Sequence, residues 1–498
     1  MTLDREFFGR DRILADLSRR LDAVSRRGRG QILAVRGRRQ VGKSTLLEHF
    51  VQSADVPYVF TTGRYGAAIR QQIDGADRAL SESRRPLPDL DLIASSSARS
   101  WEDWLTRLAV SARSGPVVVV LDEFPWQTAA DPSLEGVLQV VWDRVLEKLP
   151  VLLVLVGSDV AMMSRLTEHD RPLFGRVRPL VVPALNLAEA AQALPGWEPT
   201  GVIDAALVTG GYPRLLADLA DSGRATVQHY VHDGLRDPYS PLVTTARLTL
   251  DAEFPSPQDA TRVLAAIGAD ETANPGFNDI LGTITNEGEG QSARTATTRA
   301  LKILTEIKGL IEREQPALAK PSSKLRRYRI TDPYLRFWYR YVESSLDQIE
   351  RGRADLAVAR FDRDWSSWRG RSVEPLVRDS LVRLAATDER LAGIQRFSPW
   401  WRRARKGEPD VEVDVVGTDR STPLLVGSIK WRPGGRIAPQ EVAELRAHRA
   451  LIPGADNAML AAITPEGLQP EGVDIALGSQ DLVEAWSPDV DGSTPMGR

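Results

Sequence analysis

The stretch QILAVRGRRQVGKSTLLEHF constrains the fold more than any other part of the chain. Ile32 to Val35 form an apolar strand. Gly37-Arg38-Arg39-Gln40-Val41-Gly42-Lys43-Ser44 follows at the G-x-x-x-x-G-K-[ST] spacing, and Leu46, Leu47 and Phe50 give the next segment one apolar helical face. Strand, glycine-rich loop and helix in this order make a cradle for phosphates. Glycines let backbone N–H groups close around an anion, and the helix N-terminus adds positive potential. Gly37 to Ser44 and the following Thr45 are therefore the expected nucleotide-binding set. Lys43 would reach the β- and γ-phosphates of ATP, and the Ser44 hydroxyl would bind Mg²⁺.

Such a loop needs an acidic partner, and PVVVVLDEFPW supplies one. The valine run reads as a central parallel strand. Its end sets Asp122 beside the magnesium shell and Glu123 where it can activate the attacking water. LPVLLVLVGSDVAMM reads as a third buried strand, with Ser158 placed to sense the γ-phosphate. RPLFGRVRPL offers Arg176 as a charge stabiliser in the transition state; a solvated arginine is the plainer alternative.

At 498 residues the chain is too long for one core, so three or more domains are expected. Lys+Arg at 64 against Asp+Glu at 67 confine any nucleic-acid surface to a local patch. The absence of cysteine excludes disulfides, thiolate zinc sites and cysteine nucleophiles. MTLDREFFGRDR lacks the apolar core of a signal peptide, and PVLLVLVG is far too short for a membrane span. A cytoplasmic location without membrane contact is the expectation.

FFGRDRILADL, GRRQVGKST, LDEFPW, LVGSDVAMM, RPLFGR and GGYPRLL occur in an order that resembles the prokaryotic STAND-type P-loop ATPases, relatives of the AAA group. The resemblance spans nearly the whole chain. It implies that Gly9 and Arg10 lie near the adenine edge and that Gly210-Gly211 belongs to a helical lid over the nucleotide. It also implies a winged helix and a nuclease-like C-terminal domain of unknown function. From the residues alone, Gly210-Gly211-Tyr212-Pro213 is a turn after a helix.

From Leu187 to Leu248 the chain reads as short helices broken by proline and glycine. Thr261 to Ile267, Phe277 to Thr283 and SARTATTRALKILTEIKGLIERE read as three further helices. A basic ribbon within SSKLRRYRI and an aromatic helix, DPYLRFWYRYV, complete a winged helix-turn-helix pattern. Arg294, Arg299 and Lys302 on the third helix, with Lys324, Arg326 and Arg327 on the ribbon, are candidate DNA contacts. The other reading makes them a solvated surface on a regulatory lid. Phe337-Trp338-Tyr339 has the spacing of core.

In the last third, a charged helical connector (347–363) leads into an amphipathic helix with Glu374 near its start. Two strands follow, one carrying Glu412 and Asp414, the other Ser428 and Lys430. A further helix is QEVAELRAHRALI. Helix, strand, strand and helix with Glu, Asp and Lys in this order are similar to the PD-(D/E)XK nuclease core. There two carboxylates hold Mg²⁺ and the lysine positions water. Related sequences carry a carboxylate where this chain has Ser428, and a neutral hydroxyl is a weaker ligand for a hard cation. Glu412 or Glu374 could replace it. WWRRARK reads as a packed tryptophan pair with a basic turn, or as a phosphate groove.

The expected architecture is an α/β multidomain chain. A P-loop NTPase core with a parallel sheet and helices on both faces (1–185) precedes a helical lid (186–250) and a winged helix (251–345). A connector (346–365) leads to a restriction-endonuclease-like α/β domain (366–485) and a disordered tail (486–498). The expected function is an ATP-hydrolysing switch acting on a degenerate nuclease-like module on DNA. An active ATP-regulated nuclease and a nucleotide-holding protein scaffold are the alternatives, and self-association or an unknown protein partner stays open.

Overall fold

The computed structural model describes the chain apart from residues 1–6, 95, 254–257, 271–273, 286–289, 321, 403–409, 433 and 488–498. The basic turn Arg403 to Lys406 and nearly all of the expected tail lie outside the described residues. The chain divides into two compact units, Met1–Ala184 and Leu185–Arg498.

The first unit is built on five strands: β1 (Gln31–Arg36), β2 (Tyr58–Thr62), β3 (Val117–Asp122), β4 (Val151–Gly157) and β5 (Val177–Val181). All pair in parallel, in the order β2-β3-β4-β1-β5. Parallel sheets require cover on both faces, and the strand sequences supply it. Ile32, Ala34, Val119, Leu121, Leu153 and Leu155 pack with Trp101, Trp104, Leu105 and Leu138 in one core cluster. Their alternating neighbours Leu33, Val118, Val120, Leu152 and Val154 are as fully buried on the opposite face. β3 and β4 have no exposed residue, which explains their nearly unbroken Val and Leu runs.

The second unit begins with the helices Leu187–Ala193, Pro199–Thr209, Pro213–Asp221, Val227–Arg236 and Pro241–Glu253. Gly210 (φ 62°) and Gly211 (φ 70°) both take the left-handed turn between the second and third. A Cβ on Gly210 would sit 2.7 Å from the Cβ of Tyr334, and one on Gly211 would run into the Leu185 carbonyl. Tyr212 donates its hydroxyl proton to Asp332 at 2.6 Å. The GGYP stretch is thus a packing joint against the segment that opens at Asp332.

Helices Gln258–Ala269, Phe277–Ile284 and Gly290–Lys302 come next, the last running on as a π turn to Ile307. The antiparallel hairpin of β6 (Ile311–Glu314) and β7 (Arg327–Ile330) follows. Phe337, Trp338 and Tyr339 are all buried. Within the expected connector a short helix, Leu346–Glu350, and a turn at 351–353 precede helix Ala354–Ser372, which runs on into the start of the C-terminal module and ends at Val373.

The last module orders its strands β12-β11-β10-β9-β8. They are β8 (Arg396–Arg402), β9 (Val411–Asp419), β10 (Thr422–Ile429), β11 (Met459–Ile463) and β12 (Ile475–Leu477). β8, β9 and β10 pair antiparallel, whereas β10, β11 and β12 are parallel. Helix Pro439–Arg449 provides the crossover between β10 and β11, and helix Glu374–Leu384 contacts β8. This is a separate mixed α/β layer.

Candidate functional site

In the first unit, register fixes where the loop lies. Arg36 pairs with Gly157 on one side and Val181 on the other, so the chain after β1 leaves at the carboxyl edge between β4 and β5. Gly37 is pressed against the Val182 carbonyl, where a Cβ would collide. Gln40 (φ 63°) and Gly42 (φ 84°) take left-handed conformations that turn the chain into helix Lys43–Ser53. Lys43 is 7% exposed, and its Nζ donates to the carbonyls of Gly37 and Arg38, each at 2.9 Å. Val41 is buried, Arg38 and Arg39 are half-buried, and Thr45 faces outward. Gly9 and Arg10 are both left-handed (φ 70° and 72°), and the Arg10 guanidinium reaches the same loop, donating to the Val41 carbonyl at 2.9 Å.

Asp122 ends β3 beside this loop. Its Oδ2 accepts a hydrogen bond from the Ser44 hydroxyl at 2.9 Å. Burial raises its carboxyl above the ordinary range, against the bonds from Ser44 and the Glu123 backbone and the charge of Lys43. Glu123 is held at φ 48°, a left-handed conformation rare for a side-chain-bearing residue. Burial, and then the charge of Asp122, push its carboxyl upward; Arg39 and Lys43 oppose this. The Ser158 hydroxyl donates to Glu123 Oε2 at 3.4 Å. A carboxylate of raised basicity beside a hydroxyl–carboxylate pair is suited to taking a proton from water. Ser44 and Asp122 offer two oxygens of the kind a hard divalent cation takes, so the residues present fit Mg²⁺.

Glu48 joins this cluster unforeseen. Burial and the nearby Asp122 raise its carboxyl. The signal was available, because Glu48 lies four residues after Ser44 on the same helix.

Arg176 does not join it. Val177 is in register with Ile32, near the start of β1, whereas the loop leaves from the other end. Strand rise of about 3.3 Å per residue puts Arg176 at the opposite edge of the sheet. There it makes a two-pronged ion pair with Asp143 (2.6 and 2.7 Å). The expectation that Arg176 stabilises charge at this chain's own nucleotide is corrected accordingly.

The second unit gathers another set. Val415 pairs with Gly427, which sets Asp414 opposite Ser428. Asp414 Oδ2 accepts the Ser428 hydroxyl (3.1 Å) and the Ile429 N–H (2.7 Å). Burial raises the Asp414 carboxyl, while the Ile429 bond and the Lys430 charge pull it back. Glu374 opens its helix nearby, and burial, then the charge of Asp414, push its carboxyl up to about 8. Arg378 ties the set together. Its Nη1 reaches the Asp414 carbonyl (3.0 Å) and Glu374 (3.4 Å), and its Nη2 reaches Glu314 on β6 (3.0 Å).

Two of the candidate residues meet here. Arg327 on β7 makes a two-pronged pair with Glu412 (2.5 and 3.3 Å), and its guanidinium lies 4.4 Å from the centre of the Trp401 ring. Arg327 and Glu412 thus pair with each other, their side chains 29% and 50% exposed. Among the described residues, no group of three or more His, Cys, Asp or Glu is arranged to hold a metal ion. Asp414 already takes two donors on one oxygen. With a hydroxyl at Ser428 and Glu412 paired to Arg327, this second site offers a hard cation fewer carboxylates than the expected nuclease arrangement. Arg294, Arg299, Lys302 and Lys324 are exposed, and Arg326 is half-buried.

Strand order, phosphate-type loop and acidic pair define the first unit as a P-loop ATPase core. Residues 6–154 match the family described as AAA ATPase domain, and residues 338–443 match a family described as archaeal and bacterial proteins of unknown function. The chain is similar to an uncharacterized protein of Methanocaldococcus jannaschii, 23% identical over 431 residues, covering 86% of this chain and 88% of that one. Among solved structures it is similar to a Walker-type ATPase of Pyrococcus abyssi (17% identity; 68% of this chain, 97% of that one; TM-score 0.48). The Aeropyrum pernix ORC2 protein in its ADPNP-ADP complexes matches at 17% identity over 72% of this chain and 96% of its own, with TM-score 0.40. Among the described residues, no helix is long and apolar enough to cross a membrane.

Proposed function

We propose that this chain is an ATP-hydrolysing switch of the STAND type, whose nucleotide state governs a winged helix and a C-terminal nuclease-like module that engages DNA without cutting it. The observation carrying the first half is the 2.9 Å bond between Ser44 and Asp122 beside a loop whose lysine is drawn into its carbonyls. In this reading the Gly37–Ser44 backbone and Lys43 hold the phosphates. Ser44 would hold Mg²⁺, with Asp122 behind it, and the cation when bound neutralises phosphate charge. Glu123 orients the attacking water and accepts its proton, and Ser158 keeps the Glu123 carboxyl in place. The Mg²⁺-dependent release of phosphate from ATP tests this; no release above a Glu123→Gln control would reject hydrolysis.

For the C-terminal module, Ser428 supports the non-cutting reading. It stands where a second carboxylate ligand is needed, and it donates to the remaining one. Incubation with plasmid and Mg²⁺ or Mn²⁺ should leave the plasmid intact. Nicking that disappears in Asp414→Ala would instead support an active nuclease. The scaffold reading without DNA draws support from Arg327, a basic ribbon residue already taken up inside the chain.

A further inference from the structure

The hairpin β6–β7 occupies the place of the wing, yet its contacts run inward. Along it, three kinds of interaction point to the sheet β8-β9-β10, and a fourth to helix Glu374–Leu384 of the same C-terminal module. The Ala317 N–H in its connecting loop donates to the Pro399 carbonyl of β8 at 2.8 Å. Ala317, 8% exposed, belongs to the core cluster of Trp400, Val411, Val413, Val426 and Leu445, with Leu318 packed against it. Arg327 pairs with Glu412 and lies over Trp401. Glu314, its side chain 7% exposed, holds both Arg329 of its own hairpin and Arg378 of the C-terminal module.

A hairpin that contacts DNA must present its loop and basic side chains to phosphate. Here the loop contributes apolar surface to another module's core, and a buried ion triad joins the two. Breaking such a triad leaves charge without compensation, so this contact is not casually opened.

We propose that β6–β7 is a docking arm. It seats the C-terminal sheet, with its Glu374–Asp414 site, on the three-helix module as one body, and it does not read DNA. Among the candidate DNA contacts, Arg294, Arg299 and Lys302 of helix Gly290–Lys302, all exposed, then carry the nucleic-acid face of that module. The DNA half of this inference rests on the proposed function above; the docking half does not.

Because the chain has no cysteine, Ala317→Cys introduces a single thiol. If the arm is docked, the introduced thiol reacts with a thiol reagent about 100-fold or more slowly than in urea-unfolded chain. Labelling at the unfolded rate overturns docking. In parallel, binding to a duplex oligonucleotide is measured against salt. The Arg299→Ala/Lys302→Ala chain should lower the slope of log K against log salt by about 2. Lys324→Ala and Arg327→Ala should leave that slope unchanged. A loss of about 1 in either, equal to one helix residue, overturns the assignment of the DNA face. If no variant or native chain binds duplex while the thiol stays protected, the DNA reading fails and the docking arm stands.

Discussion

Arg10, only 3% exposed, donates a 2.9 Å hydrogen bond to the carbonyl of Val41, inside the phosphate-type loop. In a trans peptide the C=O and the following N–H point in opposite directions. Fixing the Val41 carbonyl on Arg10 therefore turns the Gly42 N–H away from Arg10 and sets the loop's last peptide. This gives Arg10 a role in shaping the phosphate cradle, in addition to the adenine-edge position that the family resemblance implies.

That bond sets the prediction for Arg10→Ala. A buried hydrogen bond from a charged donor contributes about 1.5–3 kcal/mol, so ADP binding should weaken by about 10- to 150-fold. Calorimetry with ADP and GDP should show the preference between the bases unchanged. Lost base preference at retained affinity would reverse the assignment.

Glu123→Gln separates binding from chemistry. The amide keeps size and the contact to Ser158 but cannot accept a proton. Hydrolysis should fall by about 10²–10⁴-fold while ATP affinity stays within a few-fold of native. Equal turnover in the variant would remove Glu123 from the reaction.

Stability should depend on pH through Glu374. Its carboxyl rises from 4.5 to about 8 because it is buried and faces Asp414. The folded chain then binds more protons than the unfolded chain between those values, so stability falls as pH rises through that window. Glu374→Gln removes this loss. Urea melts should find the variant more stable than native by about 1–3 kcal/mol at pH 8.5 and nearly equal near pH 4. Parallel pH profiles would contradict the buried-carboxyl account.

The ion pair between Asp204 and Arg369 (2.6 Å, both side chains 9% exposed) joins helix Pro199–Thr209 to helix Ala354–Ser372. Burial raises the Asp204 carboxyl while Arg369 opposes it. Asp204→Ala leaves Arg369 buried without its partner, which costs about 3–5 kcal/mol. A urea midpoint unchanged from native would show that the guanidinium finds water instead.

What the sequence could reveal depended on how local each feature is. The parallel-sheet core was legible because strand, loop and helix adjoin within residues 31–53, and the apolar run of β3 up to Leu121 fits a doubly covered strand. Arg176 was misplaced although a signal existed. In a parallel sheet, residues before a strand and residues after one lie on opposite edges, and Arg176 precedes β5. The pairing of Arg327 with Glu412 spans 85 residues of sequence, and no local mark joins a candidate DNA contact on the ribbon to a candidate metal ligand on β9. The tyrosine of GGYP finds its partner Asp332 at a separation of 120 residues, again beyond any window of periodicity.

The most direct measurement is equilibrium binding of a fluorescent ATP analogue in the presence of Mg²⁺, comparing native chain with Lys43→Ala. The account predicts saturable binding by the native chain, displaced by ATP and ADP, and a loss of about 100-fold or more in the variant, whose ammonium no longer meets the phosphates. Native chain that fails to bind, or a variant that binds as tightly as native, would contradict it.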